Sequence, residues 1–141
     1  MSSTDTMAAP ALAGYHHVSL TVTDVDASER WYARVLGLHR VMVEPHADGG
    51  HSVVLARPGT SVFLGLAAHP TNAAEAFGEH RTGLDHLSLA VGDRADLDTW
   101  REHLDALDVP HSGITEATEP FEYALIVFRD PDNIQLEVTW S

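Results

Sequence analysis

Three residues of this chain combine the side-chain types and positions that a divalent metal site requires. His17 and His86 open two short runs of alternating β-branched and polar residues, and Glu137 lies in a third such run near the end of the chain. Because side chains at i, i+2 and i+4 of a strand share a face, each of the three lies opposite an aliphatic stripe. A carboxylate between Leu136 and Val138 is costly unless it is paired or bound to a cation. Two imidazoles and one carboxylate on one face leave coordination positions open, which suits Fe, Mn, Co, Ni or Zn.

The two histidines occupy equivalent positions of an internal repeat. The segment 17–24 (HVSLTVTD) matches 86–93 (HLSLAVGD) at an offset of 69 residues, and the same offset places Trp31 over Trp100. Six identities at one gapless offset indicate a duplicated unit. A lone strand histidine is more often a hydrogen-bonded or surface residue, and Glu137 alone could be a solvent-facing carboxylate. Equivalent placement in two units favours the metal interpretation, so we predict that His17, His86 and Glu137 bind one divalent ion.

The other histidines are weaker candidates. His16 falls on the aliphatic side of the predicted first strand, opposite to His17. The remaining seven are assigned to the surface or to loops: His39, His46, His51, His69, His80, His103 and His111. Of these, His51 opens a strand that could line the site.

Each repeat predicts one strand, one helix and then three strands. In the first unit the strands are expected near 15–23, 38–44, 52–56 and 61–67, with a helix that Asp24 or Asp26 caps and Gly37 ends. In the second they are expected near 85–91, 111–115, 123–128 and 134–140, with a helix at 95–107 that Pro110 stops. The predicted organisation is a flexible arm at 1–14 and a single domain at 15–141, made of module one (15–68), a linker (69–82) and module two (83–141).

The composition excludes several kinds of chemistry and partner. All eight basic residues are Arg, and the chain has neither Lys nor Cys, which excludes Schiff bases, thiolate nucleophiles and disulfides. The formal net charge of −13 and pI near 4.9 disfavour nucleic acid and anionic membrane surfaces as partners. No stretch is long and apolar enough to span a bilayer, and residues 1–14 lack the pattern of a secretory signal, so we expect a cytoplasmic protein.

The repeat and three local motifs resemble the vicinal-oxygen-chelate superfamily, also called the glyoxalase, bleomycin-resistance and extradiol-dioxygenase superfamily. The motifs are the strand at 17–22 (HVSLTV), the helix start at 28–32 (SERWY) and the close at 130–137 (DPDNIQLE). The resemblance covers residues 14–141. It implies an α+β fold in which two βαβββ modules form a cupped mixed sheet with helices on the outside, a divalent metal, a small-molecule ligand and a homodimer.

The same resemblance assigns four equivalent positions to the metal. Three of them map onto His17, His86 and Glu137. The fourth falls at Leu64 or Gly65, and neither residue can bind a metal. Glyoxalase I and methylmalonyl-CoA epimerase use a fourth protein ligand, so the chain resembles neither of them.

Family members with three ligands also differ from this chain. The extradiol dioxygenases have a Tyr three residues before Asp-Pro, where this chain has Val127, and an earlier His that the segment 118–120 does not offer. The fosfomycin-resistance transferases hold an anionic drug in a cationic pocket, whereas residues 116–122 here are acidic. No named subfamily therefore matches.

These patterns lead us to expect a metal-dependent lyase, isomerase or dioxygenase acting on a small molecule that chelates the metal through two adjacent oxygens. Glu137 or a metal-bound water would move the proton. Ser19 matches a substrate-contacting hydroxyl of the fosfomycin enzymes, and three aromatic residues are expected either in the substrate wall or in plain strand core: Phe63, Tyr123 and Phe128. The alternative function is a non-catalytic protein that sequesters a drug or metabolite, as bleomycin-resistance members do.

Overall fold

A computed structural model describes residues 8–141, and its helices and strands follow the predicted order. Residues 1–7, half of the predicted N-terminal arm, lie outside the described residues. In chain order the elements are β1 (Val18–Thr21), α1 (Val25–Leu36), β2 (His39–Pro45), β3 (His51–Ala56), β4 (Phe63–Ala68), β5 (Leu87–Ala90), α2 (Asp96–Ala106), β6 (His111–Ala117), β7 (Tyr123–Arg129) and β8 (Gln135–Trp140). Neither helix in this range has the length and apolar character needed to cross a membrane.

Each module forms its own four-stranded mixed sheet. The strand order is β1-β4-β3-β2 in the first sheet and β5-β8-β7-β6 in the second. In both sheets the first strand pairs in parallel with the last, and the other neighbours pair antiparallel. The shared topology confirms the duplicated βαβββ unit and the α+β class.

The boundaries of α1 have identifiable causes in the sequence. The Asp24 side chain accepts a hydrogen bond from Ala27 N at 3.1 Å, which satisfies a free N–H of the first turn. Gly37 ends the helix with φ of 68°, a left-handed conformation that suits glycine. The buried residues between these caps recur at helical spacing: Ser28, Tyr32, Val35 and Leu36. This stripe packs α1 onto one face of its sheet.

Side chains alternate between the two faces of each sheet. In β1, Leu20 is buried while Ser19 and Thr21 are exposed, and in β5 Leu89 is half-buried while Ser88 is exposed. The buried faces and both helices contribute to one hydrophobic cluster. The opposite faces, which were predicted to carry the metal ligands, are exposed at Ser19 and Ser88, whereas Glu137 on the same side is only 9% exposed.

Contacts at the turn between β7 and β8 join the two modules. Tyr32 of α1 donates a buried hydrogen bond from its hydroxyl to Asp130 Oδ2 at 2.7 Å. Arg129 donates two hydrogen bonds to Glu79 of the predicted linker, at 2.9 and 3.0 Å. The strand that follows this turn is β8, so both contacts fix the strand that carries Glu137.

Candidate metal centre

The strand registers identify which positions of the two modules are equivalent. Ser19 of β1 pairs with Gly65 of β4, and Ser88 of β5 pairs with Glu137 of β8. Gly65 is therefore the counterpart of Glu137, which decides between the two positions that the sequence allowed. Because glycine has no side chain, the fourth family position offers no ligand.

His86 and Glu137 face each other beside the β5–β8 pair. His86 Nε2 lies 3.6 Å from Glu137 Oε1, which is too long for a hydrogen bond. Two ligand atoms that each lie about 2.1 Å from a shared ion can have this separation. Asp85 Oδ1 lies 2.7 Å from the other ring nitrogen of His86. A carboxylate in that place orients an imidazole ligand and selects its tautomer, so Asp85 directs Nε2 towards Glu137.

The electrostatics of this pair favour positive charge between the two carboxylates. Glu137 is 9% exposed, and its Oε2 accepts a long hydrogen bond from Gln135 Nε2 at 3.4 Å. The hydrogen bond to Asp85 raises the pKa of His86, burial opposes that rise, and the charge of Glu137 adds to it. A buried carboxylate is stabilised by a nearby positive charge, which a protonated His86 or a bound cation would supply.

His17 and His86 line one cleft, but the single chain does not bring all three predicted ligands together. The cleft has a volume of about 600 Å³, and Phe63 and Leu84 also line it. Within residues 8–141, the ligand atoms of His17, His86 and Glu137 do not all lie within 4.8 Å of one another. The chain thus pairs His86 with Glu137, and joint binding of an ion with His17 stays a prediction.

The surroundings of His17 correct the inference about His16. β1 begins at Val18, so both histidines precede the strand and its alternation does not apply to them. Their Nδ1 atoms are 2.8 Å apart, and both rings meet Phe63 edge-on, with centroid distances of 5.8 and 6.0 Å. His16 is exposed and lines the same cleft, so its placement on the aliphatic face is wrong.

The four predicted substrate-contacting residues divide between the two sheet faces. Three lie on the open side by their strand registers: Ser19, Phe63 and Tyr123. Phe128 instead is 1% exposed and packs against Trp31, with ring centroids 6.3 Å apart. Val127 pairs with Glu137, so the next residue, Phe128, points to the opposite face. Phe128 therefore belongs to the core, which corrects its placement in the substrate wall.

A close contact accompanies the glycine at position 65. A Cβ atom there would lie 2.7 Å from Ser19 Oγ and 3.3 Å from Ser19 Cβ. Any side chain at this position would require the serine to move. Ser19 therefore occupies the space beside the position at which module two carries Glu137.

A family comparison identifies the fold and extends over nearly the whole chain. Residues 14–138 match the family model of the Glyoxalase/Bleomycin resistance protein/Dioxygenase superfamily. The chain belongs to this superfamily. The match confirms the resemblance drawn from the repeat and its motifs.

Solved structures of the superfamily share the complete architecture. A glyoxylase/bleomycin resistance protein/dioxygenase domain from Frankia sp. EAN1pec is 34% identical with a TM-score of 0.82, covering 93% of this chain and 99% of that one. A lactoylglutathione lyase from Agrobacterium tumefaciens is 23% identical with a TM-score of 0.67, covering 92% and 95%. The fosfomycin resistance protein FosX from Listeria monocytogenes, complexed with Mn(II) and sulfate, is 14% identical with a TM-score of 0.64, covering 93% and 94%. No curated protein matches the chain.

Sequence reasoning missed two features beyond the superfamily's metal positions. Asp85 escaped notice because its role depends on the side-chain orientation, although the Asp-His pair before the strand was a usable signal. His46 and His69 were assigned to the surface or loops, yet together with Asp48 they form the one group of three metal-binding side chains within residues 8–141 whose ligand atoms lie within 4.8 Å of one another. No sequence motif joins these residues, because strand pairing alone brings them together.

Proposed function

We propose that this chain is a divalent-metal-dependent enzyme that acts on a small molecule chelating the metal through two adjacent oxygens, in a reaction of lyase, isomerase or dioxygenase type. The observation that carries the proposal is the pairing of buried Glu137 with His86 Nε2 at 3.6 Å, with Asp85 behind the imidazole. Membership of the superfamily supports it, and FosX, which shares the fold, was solved with Mn(II).

The residues of the site fit a divalent ion of the Fe, Mn, Zn, Ni or Co type. Imidazole and carboxylate ligands suit these ions, and His17, His86 and Glu137 would hold the metal. Gly65 adds no ligand at the fourth position, so coordination positions stay free for two substrate oxygens. A bound metal would polarise those oxygens as a Lewis acid.

The other side chains would position the substrate and handle its proton. Glu137 is a carboxylate at a water-poor position, which suits a group that accepts and returns a proton. Asp85 keeps the His86 ring in its orientation. The hydroxyl of Ser19 would bind a polar group of the substrate, and Phe63 and Tyr123 would form the apolar wall that excludes water.

We also propose that a homodimer completes the site. Within the described part of the chain, β1 pairs only with β4 and β5 only with β8, so each leaves an unpaired edge next to a predicted histidine ligand. β2 exposes Val41, Met42 and Val43 by 56%, 47% and 45%. An exposed apolar edge strand promotes association unless a partner covers it. A second copy of the chain that contacts β2 would cover these apolar side chains, and contact at the free edges of β1 and β5 would bring His17 of one protomer towards His86 and Glu137 of its partner.

Metal analysis of matched variants tests the ligand assignment. We expect His86→Ala to lose one metal ion per chain relative to wild type, measured by elemental analysis of untagged protein. The control is His39→Ala, a change at an exposed histidine of β2, which should keep the wild-type metal content. If His86→Ala keeps it as well, Glu137 and His86 do not bind a metal and the proposal fails.

Solution size and ligand binding complete the test. Analytical ultracentrifugation at micromolar concentration should give a dimer, and Met42→Lys should weaken it. Loading with Fe(II), Mn(II) or Zn(II) should raise the melting temperature. At a hundredfold excess of the metal over its Kd, binding adds about 2.7 kcal/mol to the free energy of unfolding. A protein that binds no metal but binds an aromatic ligand tightly in the cleft would support sequestration instead of catalysis.

A further inference from the structure

The tip of the β2–β3 hairpin gathers three potential metal ligands away from His86 and Glu137. Pairing places three residues side by side across β2, β3 and β4: Pro45, His51 and Ala68. His46 and His69 each follow directly after one of these strands, and Asp48 lies in the hairpin turn between β2 and β3. The strand register therefore brings together residues that are up to 23 positions apart in sequence.

The carboxylate of Asp48 lies between the two imidazoles. Its Oδ2 lies 3.1 Å from His69 Nδ1, and its Oδ1 lies 3.9 Å from His46 Nδ1. The two imidazole rings stack, with centroids 5.0 Å apart and planes inclined by 28°. Each carboxylate oxygen thus faces one ring nitrogen, and a small movement would bring all three groups onto one ion.

An unpartnered buried nitrogen distinguishes this cluster from an ordinary hydrogen-bonded turn. His46 Nε2 lies 2.8 Å from Ser52 Oγ. His46 Nδ1 is enclosed by protein and has no hydrogen-bond partner in the described part of the chain. Buried polar atoms without a partner are rare in native proteins. When Nε2–H donates to Ser52, Nδ1 carries the free lone pair that a metal ligand needs.

The backbone of the turn holds the Asp48 carboxylate in place. Gly50 N donates to Asp48 Oδ1 at 2.8 Å. A Cβ at Gly50 would lie 2.1 Å from the carbonyl oxygen of Ala68, so only glycine lets the turn approach the end of β4 this closely. The turn therefore holds the Asp48 carboxylate beside the imidazole of His69.

We propose that His46, Asp48 and His69 form a second site, for a divalent transition metal of the Zn²⁺ type. Two imidazoles and one carboxylate match Zn²⁺, Co²⁺ or Ni²⁺, whereas Mg²⁺ and Ca²⁺ prefer oxygen ligands. The side chains of His69 and Asp48 are 38% and 47% exposed, so an ion reaches the site from solvent and water completes its coordination. The ion would pin the β2–β3 hairpin to the end of β4.

Zinc binding to untagged full-length protein, stripped with a chelator, tests the site. Titration calorimetry is done in the His86→Ala background, which removes a ligand of the other proposed centre. We expect one Zn²⁺ per chain in His86→Ala. Adding His69→Ala should weaken Zn²⁺ binding by more than roughly 10- to 100-fold, which is the cost of losing a group that only hydrogen-bonds to a metal ligand. The matched control adds His51→Ala, a histidine of the same hairpin outside the cluster, and should keep the affinity.

The second readout guards against a folding artefact. His69 is half-exposed, so its removal should leave the circular dichroism spectrum unchanged, and Asp48→Asn should weaken Zn²⁺ binding while keeping the shape of the turn. Co²⁺ added to His86→Ala should give a ligand-field spectrum that His69→Ala abolishes.

Folded His86→Ala that binds no Zn²⁺, or equal affinity with and without His69, would overturn the proposal. An effect of His86→Ala alone bears only on the proposed enzyme centre, so the two proposals can fail separately.

Discussion

Replacing Tyr32 by Phe should weaken the junction between the modules. The Asp130 carboxylate is 6% exposed and accepts three hydrogen bonds: from Tyr32 Oη–H at 2.7 Å, Asp132 N at 2.8 Å and Ile134 N at 2.9 Å. Tyr32 itself is fully buried, so no water replaces the lost hydroxyl in its cavity. One oxygen of a buried carboxylate then faces an apolar ring.

The expected cost follows from the charge of the acceptor. A hydrogen bond to an ionised group contributes about 1.5–3 kcal/mol, so we expect a loss of about 2 kcal/mol in the free energy of unfolding. For a chain of this size that corresponds to a fall in melting temperature of roughly 6 °C. Tyr15→Phe is the matched control, because Tyr15 is fully exposed and loses no protein partner.

The same loss should depend on pH. Burial raises the pKa of Asp130, while the hydrogen bonds from Tyr32, Ile134 and Asp132 lower it. Removing the tyrosine hydroxyl therefore raises the pKa of Asp130 further in the folded variant. Since the folded state then binds the proton more tightly than the unfolded state, stability falls as pH rises from the unfolded pKa, about 4, through the folded pKa. The difference in the free energy of unfolding between variant and wild type should be largest at neutral pH, and it should shrink as the pH is lowered towards about 4.

Urea unfolding at one fixed protein concentration measures both effects, because the stability of a dimer depends on concentration. The reasoning is refuted if Tyr32→Phe and Tyr15→Phe differ by less than about 0.5 kcal/mol at neutral pH. It is also refuted if the loss is the same at neutral pH and near pH 4.

Three further changes test other parts of the structure. Phe128→Ala should lower the free energy of unfolding, measured in urea, by about 3–5 kcal/mol because it opens a core cavity. Phe63→Ala on the open face should lower it less, and the reverse order would place Phe128 in the substrate wall. Arg129 holds the pKa of Glu79 at about 2, so Glu79→Gln should lower the melting temperature at neutral pH. This effect should vanish as the pH falls from the pKa of Glu79 in the unfolded state through 2, and an effect that does not depend on pH would contradict the prediction. Gly37→Ala, at φ of 68°, should cost about 1–2 kcal/mol in the same unfolding assay, and an unchanged stability would show that the helix end relaxes.

The architecture could be predicted because local patterns and the repeat agree. The offset that aligns His17 with His86 also aligns the strands and helices around them, and the caps Asp24 and Gly37 mark one helix directly. Alternation correctly placed Ser19 and Glu137 opposite the aliphatic stripe. These inferences depend on neighbours within one element, which the sequence displays.

Inferences that depend on where a strand begins or how strands pair were less secure. His16 was misplaced because β1 starts at Val18, three residues later than alternation suggested, and Phe128 because an aromatic residue suits both faces of a strand. The approach of His46, Asp48 and His69 depends on the register of three strands, which no local pattern encodes. The convergence of His17 with the other two predicted ligands depends on the arrangement of modules, and within one chain it is incomplete.

The contact between Gly65 and Ser19 has a consequence for how such a site could gain a ligand during evolution. In module two, Ser88 lies beside Glu137, and its Oγ lies 2.5 Å from Thr139 Oγ1. Thr139 therefore draws the serine hydroxyl away from the carboxylate.

Module one has Ala67 at the position equivalent to Thr139, and Ser19 Oγ instead lies where a side chain at position 65 would begin. Gly65→Glu alone would meet the serine before reaching the cleft. Ala67→Thr first would offer the hydroxyl a new partner and free that space. The order of the two substitutions therefore matters, and a lineage that adds a fourth ligand to the three proposed ones would do so more readily if the threonine came before the glutamate.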